Sequence, residues 1–272
     1  MMTIVKNTSR PSEQDIAAES AAAAAAAQEL RNHYQLRFSI EGRIRFLSHL
    51  ETADTLLSAF RRAGVRLALS PGMRPKPLIK VAMPRPVAIE AWNDIVEVEL
   101  VDAIDPDAFA FALTKVLPRG LILHDVTELS GAYVSAASRV AGATYRITVT
   151  GASSDELARA VTQLLAADSV VIERNSPKKR RMVEVRAVLG DLAVIPGEPT
   201  VRVHLMLTDA GSCKPEEVVR ALAQVSGLDL RTQRMIRESI TLAEPGGDGR
   251  TVSASLVGAD VPDGPDKPWG AC

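Results

Sequence analysis

Residues 34–87 read YQLRFSIEGRIRFLSHLETADTLLSAFRRAGVRLALSPGMRPKPLIKVAMPRPV. Tyr34, Leu36, Phe38 and Ile40 alternate with Gln35, Arg37 and Ser39, which predicts a half-buried strand. Glu41-Gly42 turns the chain. Ser48 and Glu51 then stand three apart, the spacing at which a hydroxyl and a carboxylate satisfy each other's backbone N–H groups at a helix start. Ala53, Leu56, Leu57 and Phe60 follow at helical spacing and are expected to face the core. Arg61 and Arg62 suit the negative end of the helix dipole, and Gly64 ends the helix. The loop Ser70-Pro71-Gly72-Met73-Arg74-Pro75-Lys76-Pro77 comes next, stiffened by three prolines, before a short strand at 79–83.

Working outward, residues 95–101 read as a strand. Asp105-Pro106 opens a second helix running to Leu117, and 121–129 closes the unit as a strand. This is the β-α-β-β-α-β order of a ferredoxin-like unit. A small, polar stretch at 130–141 reads as a linker. The pattern then recurs: strand 145–149, helix 155–167, strand 170–174, one or two strands within 182–195 around Gly190-Asp191, strand 200–207, a helix from Lys214-Pro215 to Val225 stopped by Gly227, and strand 237–242. The expected fold is α+β: two tandem ferredoxin-like (βαββαβ-type) units over 34–129 and 142–243, the second with an extra strand. The Ala-rich segment 1–33 and the Gly-, Pro- and Asp-rich segment 244–272 are expected to be disordered tails.

Composition narrows the functional classes. The chain has 272 residues and a net charge of −1. Its two cysteines, Cys213 and Cys272, form no CxxC pair, so a reducing cytoplasm is expected. Four histidines, His33, His49, His124 and His204, show no metal-ligand spacing. No metal or cofactor is expected. No apolar run reaches membrane-spanning length, so no membrane association is expected either. Walker, dinucleotide-binding, radical-cluster and nucleophile-elbow motifs are absent from the sequence.

Charge, in contrast, is sorted along the chain. Residues 34–87 hold ten cations (Arg37, Arg43, Arg45, Arg61, Arg62, Arg66, Arg74, Lys76, Lys80, Arg85) against three acids (Glu41, Glu51, Asp54). Residues 88–129 hold nine acids against Lys115 and Arg119. A sorted charge distribution points to a partner more than net charge does.

The runs Gly42-Arg43-Ile44-Arg45-Phe46-Leu47-Ser48-His49-Leu50-Glu51, Phe60-Arg61-Arg62-Ala63-Gly64 and Ser70–Pro77 together resemble the radical-SAM-associated protein family of bacteria, which has no assigned chemistry. Met73 and Arg74 stand where that family usually has Phe and Asn. The resemblance implies a partner, a radical S-adenosylmethionine enzyme, and a setting near RNA processing.

The leading expectation is a non-catalytic RNA-binding accessory protein working with that enzyme in tRNA or rRNA modification. Arg43, Arg45, Arg61, Arg62, Arg74 and Lys76 would hold phosphates, and Ser70 and Gly72 would shape the loop. Lys178, Lys179, Arg180 and Arg181 form a second basic cluster, read as a strand-connecting loop, which Arg231, Arg234 and Arg237 would extend. Two alternatives stand beside it. His49, at a helix start near Arg43 and Arg45, is a candidate general base for a metal-independent endoribonuclease. The same basic face would equally serve a protein adaptor that docks the radical enzyme without RNA.

Overall fold

A computed structural model of the protein describes residues 32–130, 133–176, 179–208 and 211–244. The chain divides into two compact units between Ala137 and Ser138, inside the stretch expected to be a linker. The expected disordered tails lie outside the described residues, apart from Asn32 and His33, which belong to the first strand, and Glu244.

In the first unit β1 (Asn32–Ile40) leads through a 3-10 turn (Gly42–Phe46) into α1 (His49–Arg62). Then come β2 (Ile79–Val81), β3 (Glu90–Leu100), α2 (Pro106–Thr114) and β4 (Leu121–Leu129). β1 lies between β4 and β3, and β2 pairs with β3; every pairing is antiparallel. The even-numbered residues of β1 do what their alternation requires. Tyr34, Leu36, Phe38 and Ile40 pack under both helices with Leu56, Ala59, Phe60, Phe109 and Leu113. Each such side chain stabilises the unit by about 1.5–3 kcal/mol. The Tyr34 hydroxyl donates to Ile104 O (2.8 Å) and accepts from Ile104 N (2.9 Å), so its polar end is satisfied inside the core.

Local chemistry sets the helix ends. Ser48 Oγ accepts from Glu51 N, and Glu51 Oε2 accepts from Ser48 N at 2.8 Å. The Ser48 hydroxyl, and then the Ser48 backbone N–H, hold the Glu51 carboxyl below its ordinary pKa. Asp105 caps α2 by accepting from Ala108 N, with Pro106 in the first turn. On α1 it is Thr52 and Ala59 that are buried beside Leu56 and Phe60, whereas Ala53 and Leu57 are half-buried.

A four-residue helix, α3 (Ala136–Arg139), precedes the strands of the second unit. That unit holds β5 (Val140–Thr150), α4 (Ser154–Ala166), β6 (Val171–Ser176), β7 (Lys179–Glu184), β8 (Leu189–Val194), β9 (Thr200–Met206), α5 (Pro215–Ser226) and β10 (Arg231–Leu242). Its antiparallel order is β10-β5-β9-β8. β6 and β7 pair only with each other, as a hairpin inserted between α4 and β8. The strand expected at 170–174 is present as β6, and the expected single extra strand is corrected: the addition is a two-stranded hairpin outside the main sheet, whose edge is β8. Arg174 of β6 ties the hairpin to α5, placing Nε and Nη2 each 2.6 Å from a Glu217 carboxylate oxygen.

The protein is thus a mixed α+β protein of antiparallel sheets. Among the described residues, no helix is long and apolar enough to cross a membrane.

Candidate nucleic-acid interface

The motif at 42–50 is held in place by a residue that the sequence presents as one more surface cation. Arg85 is only 6% exposed. Its Nη1 donates to the carbonyl oxygens of Arg45 (2.8 Å), Pro86 (3.2 Å) and Ile89, and its Nη2 to Leu47 O (3.0 Å). Ala88 N adds a bond to Arg45 O at 2.9 Å, from a residue with φ +70°. A non-glycine residue in that region costs about 1–2 kcal/mol, which the surrounding bonds offset. Arg45 is also engaged: Nη1 lies 3.0 Å from Gly42 O and 3.2 Å from Glu90 Oε1, and its guanidinium sits over the Phe46 ring. Arg43 is exposed and His49 half-buried. Around them three apolar side chains face solvent, Phe46 (54% exposed), Leu50 (72%) and Val87 (54%).

The proline loop is an excursion from an edge strand. Ala68 N donates to Glu99 O and Val101 N to Arg66 O, so residues 66–68 line the edge of β3. Glu99 N then donates to Leu78 O, and β2 continues along the same edge from Ile79 opposite Val98. Between these contacts residues 69–77 leave the sheet and close on themselves. Ser70 N donates to Lys76 O (2.8 Å), Lys76 N to Ser70 Oγ (3.0 Å), and Leu78 N to Ala68 O (2.8 Å). Pro71, Pro75 and Pro77 have no N–H to give a ladder, so this stretch cannot stay in the sheet. Gly72 takes φ +114°, a backbone region that side chains oppose. Residues 71–77 are all exposed, and Met73 at the tip is fully so. Ser70 and Gly72 therefore shape the loop as the sequence predicts.

Register decides how these groups relate. The 3-10 turn follows Ile40, which pairs with Ala91, whereas the loop leaves the edge at Val98 and Glu99. Seven or eight residues of strand separate the two, roughly 25 Å. Arg61 and Arg62 stand at the other end of α1 from His49, about 20 Å along the axis. One concave surface lined by Arg43, Arg45, Arg61, Arg62, Arg74 and Lys76 is therefore not what the fold builds: Arg43 and Arg45 stand apart both from Arg61 and Arg62 and from the loop that carries Arg74 and Lys76. Several others are already engaged. Arg66 forks onto Asp102 at 2.7–2.9 Å, Lys80 lies over the Tyr133 ring, and Arg37 reaches Asn93 Oδ1. Among the described residues no carboxylate pairs with Arg43, Arg61, Arg62, Arg74 or Lys76.

The second basic cluster lies in the other unit. Lys178 is outside the described residues, and Lys179 begins β7, so the run is the start of a strand rather than a connecting loop. Arg180 and Arg181 are exposed, with Arg180 Nε 3.5 Å from Glu173 Oε1. Arg237, expected to extend a cationic surface, is fully buried, and Arg231 pairs with Asp229 at 3.0 Å. Met235, Ile236 and Arg237 are consecutive in β10 and all buried, so both faces of the strand are covered there and the face that carries Arg237 is not open to solvent. His49 has no hydrogen-bond or ion-pair partner among the described residues, so nothing orients its ring as a base. No group of metal-binding side chains is found among the described residues.

Sequence reasoning passed over the face of the first sheet that looks away from its helices. Glu97, 4% exposed, accepts from Tyr133 Oη (2.7 Å) and from Ala136 N (2.9 and 3.0 Å). Tyr133 also stacks on His33 at 4.3 Å. The expectation of a half-buried β1 is therefore corrected: His33, Gln35 and Ser39 on its polar face are buried and Arg37 half-buried, because which segment covers that face is not a local property.

Fold and surface define an α+β protein that carries a closed basic loop, with no assembled catalytic group among its described residues. The chain belongs to the family described as "Uncharacterized protein conserved in bacteria (DUF2344)", which matches residues 33–223. No curated protein matches it. Among solved structures it is similar to an unknown protein from Galdieria sulphuraria at 16% identity, covering 75% of this chain and 98% of that one, with a TM-score of 0.25. A second is the "Crystal structure of putative glycine cleavage system transcriptional repressor", at 10% identity, covering 77% and 99%, with a TM-score of 0.23.

Proposed function

We propose that this protein is a non-catalytic, RNA-binding accessory protein of the cytoplasm, built from two tandem ferredoxin-like units. It would work with a radical S-adenosylmethionine enzyme in tRNA or rRNA modification. The observation that carries the RNA reading is the loop at 69–77. It places Arg74 and Lys76 on a backbone already fixed by prolines and by its own Ser70–Lys76 bonds, with no carboxylate paired to them. A pre-ordered loop loses little entropy when it engages a phosphate backbone. The resemblance of the 42–51, 60–64 and 70–77 runs supports the choice of partner enzyme, and the antiparallel strand orders support the ferredoxin-like reading. Filter binding of total cellular RNA across a salt series tests the proposal. Each phosphate held adds about 0.7 to the salt slope on single strands, so Arg74→Gln with Lys76→Gln is expected to lower it by about 1.4. No retention of RNA at low salt would remove the reading.

One observation favours a second reading, a protein adaptor. Phe46, Leu50 and Val87 are exposed on segments that Arg85 and Ala88 bind together. A rigid apolar knob of this kind suits protein contact. Copurification with the radical enzyme that survives nuclease, and fails in Phe46→Ser with Leu50→Ser, would favour it.

A further inference from the structure

Beside the C-terminal half of α1 lies an open hollow of about 580 Å3 lined by Thr55, Ser58, Arg61, Arg62 and Pro118. Thr55, Ser58 and Arg62 lie on one stripe of the helix, three and four residues apart, and Arg61 flanks it. Both guanidiniums are partly fixed. Arg62 Nη2 donates to Val116 O at 2.8 Å, across to the chain after α2, and Arg61 Nε donates to Leu57 O at 3.3 Å. Each keeps N–H groups free for a ligand. Thr55 spends its proton on Glu51 O (2.7 Å), whereas Ser58 is exposed with no hydrogen-bond partner among the described residues.

We propose that this hollow binds the terminal phosphate of a nucleotide chain, with Arg61, Arg62 and Ser58 on the phosphate oxygens and Pro118 against the sugar or base. The deciding argument is charge. Two unpaired guanidiniums supply +2, which matches a phosphomonoester of about −1.5 to −2 at pH 7 better than a backbone diester of −1. The helix end itself opposes an anion. Its last carbonyls are already occupied, however: Ala59 O accepts from Ala63 N, Phe60 O from Val65 N and Arg61 O from Gly64 N. The arginines are therefore not needed as caps.

This inference deepens the RNA reading by giving it a chain end, and its test separates the two. Binding of a 5′-phosphorylated RNA hexamer is compared by fluorescence anisotropy with that of the same hexamer bearing a 5′-hydroxyl. Adenosine 5′-monophosphate and adenosine are compared by ligand-observed NMR. The wild type is expected to prefer the phosphorylated hexamer about tenfold. Arg61→Gln with Arg62→Gln is expected to abolish that preference, weakening the phosphorylated hexamer about tenfold more than the hydroxyl hexamer. Ser58→Ala, which disturbs no bond of the fold, is expected to reduce it about threefold. Equal binding of both hexamers by the wild type, or a preference that survives the double substitution, overturns the proposal. Equal binding that the double substitution abolishes also overturns it, since the hollow then holds a backbone phosphate. Adenosine 5′-monophosphate binding that depends on Arg61 and Arg62, without binding of either hexamer, upholds the hollow while the RNA reading falls.

Discussion

Arg85→Met offers the sharpest check on the structure. The substitution keeps much of the side chain's volume and removes its charge and donors. The carbonyl oxygens of Arg45, Leu47, Pro86 and Ile89 then lose the bonds that Arg85 makes to them, although Arg45 O keeps Ala88 N. A bond to a charged donor contributes about 1.5–3 kcal/mol net when counted alone. Four such bonds do not add, because one guanidinium makes them all and its own desolvation cost disappears with it. A net loss of about 3 kcal/mol follows, or a melting transition lower by about 6–12 °C for a chain of this size. Arg43→Met, at an exposed position within the same turn, is expected to stay within about 0.5 kcal/mol. The two variants are compared with wild type by thermal and urea unfolding under circular dichroism. If Arg85→Met melts within 2 °C of Arg43→Met, the arginine does not hold these segments together. The rigidity assigned to the 42–50 motif then goes too.

Gly142→Ala is expected to cost at least 2 kcal/mol, since a Cβ there would meet Leu205 O at 2.5 Å and the His204 ring at 3.0 Å; urea midpoints read this directly. Burial raises the Glu217 carboxyl, but the Arg174 guanidinium and the Lys214 amide outweigh it and leave the group below its ordinary pKa. A depressed carboxyl contributes stability above its unfolded value of 4.5 and loses it as pH falls through the lower folded value. Wild type should therefore lose stability below pH 4.5 more steeply than Glu217→Gln, and parallel curves would contradict the Arg174–Glu217 pair. Burial, then Glu217, pushes the Cys213 thiol up to about 12. At pH 8.5 the Cys213 peptide should stay unalkylated in native protein and react after denaturation, as mass spectrometry would show. RNA incubated with the protein in chelator should remain intact, and His49→Ala should change nothing; cleavage lost on that substitution would restore the ribonuclease reading.

Much of the architecture was legible because its causes are local. Alternation in 34–40 fixed which residues of β1 face the helices, and Tyr34, Leu36, Phe38 and Ile40 are all buried. Ser48 and Glu51, three apart, formed the cap their spacing predicts. The hairpin β6–β7 escaped because a short β-branched run such as Val170-Val171-Ile172 does not say which strand it will pair with. The candidate site was less legible. Ser70 and Gly72 behave as read, since Pro, Gly and Ser impose turn geometry within a few residues.

By itself the sequence determined the elements, their order and their caps, together with a loop that prolines force out of any ladder. Only the tertiary structure decided which charges are available. It buried Arg85 among carbonyls of the turn end and of its own segment, and set Arg45 on Glu90. By strand register it carried Arg43 and Arg74 to different ends of one unit. Backbone and side-chain rules act over a few residues, whereas the fate of a charge depends on what the folded chain brings within about 4 Å of it.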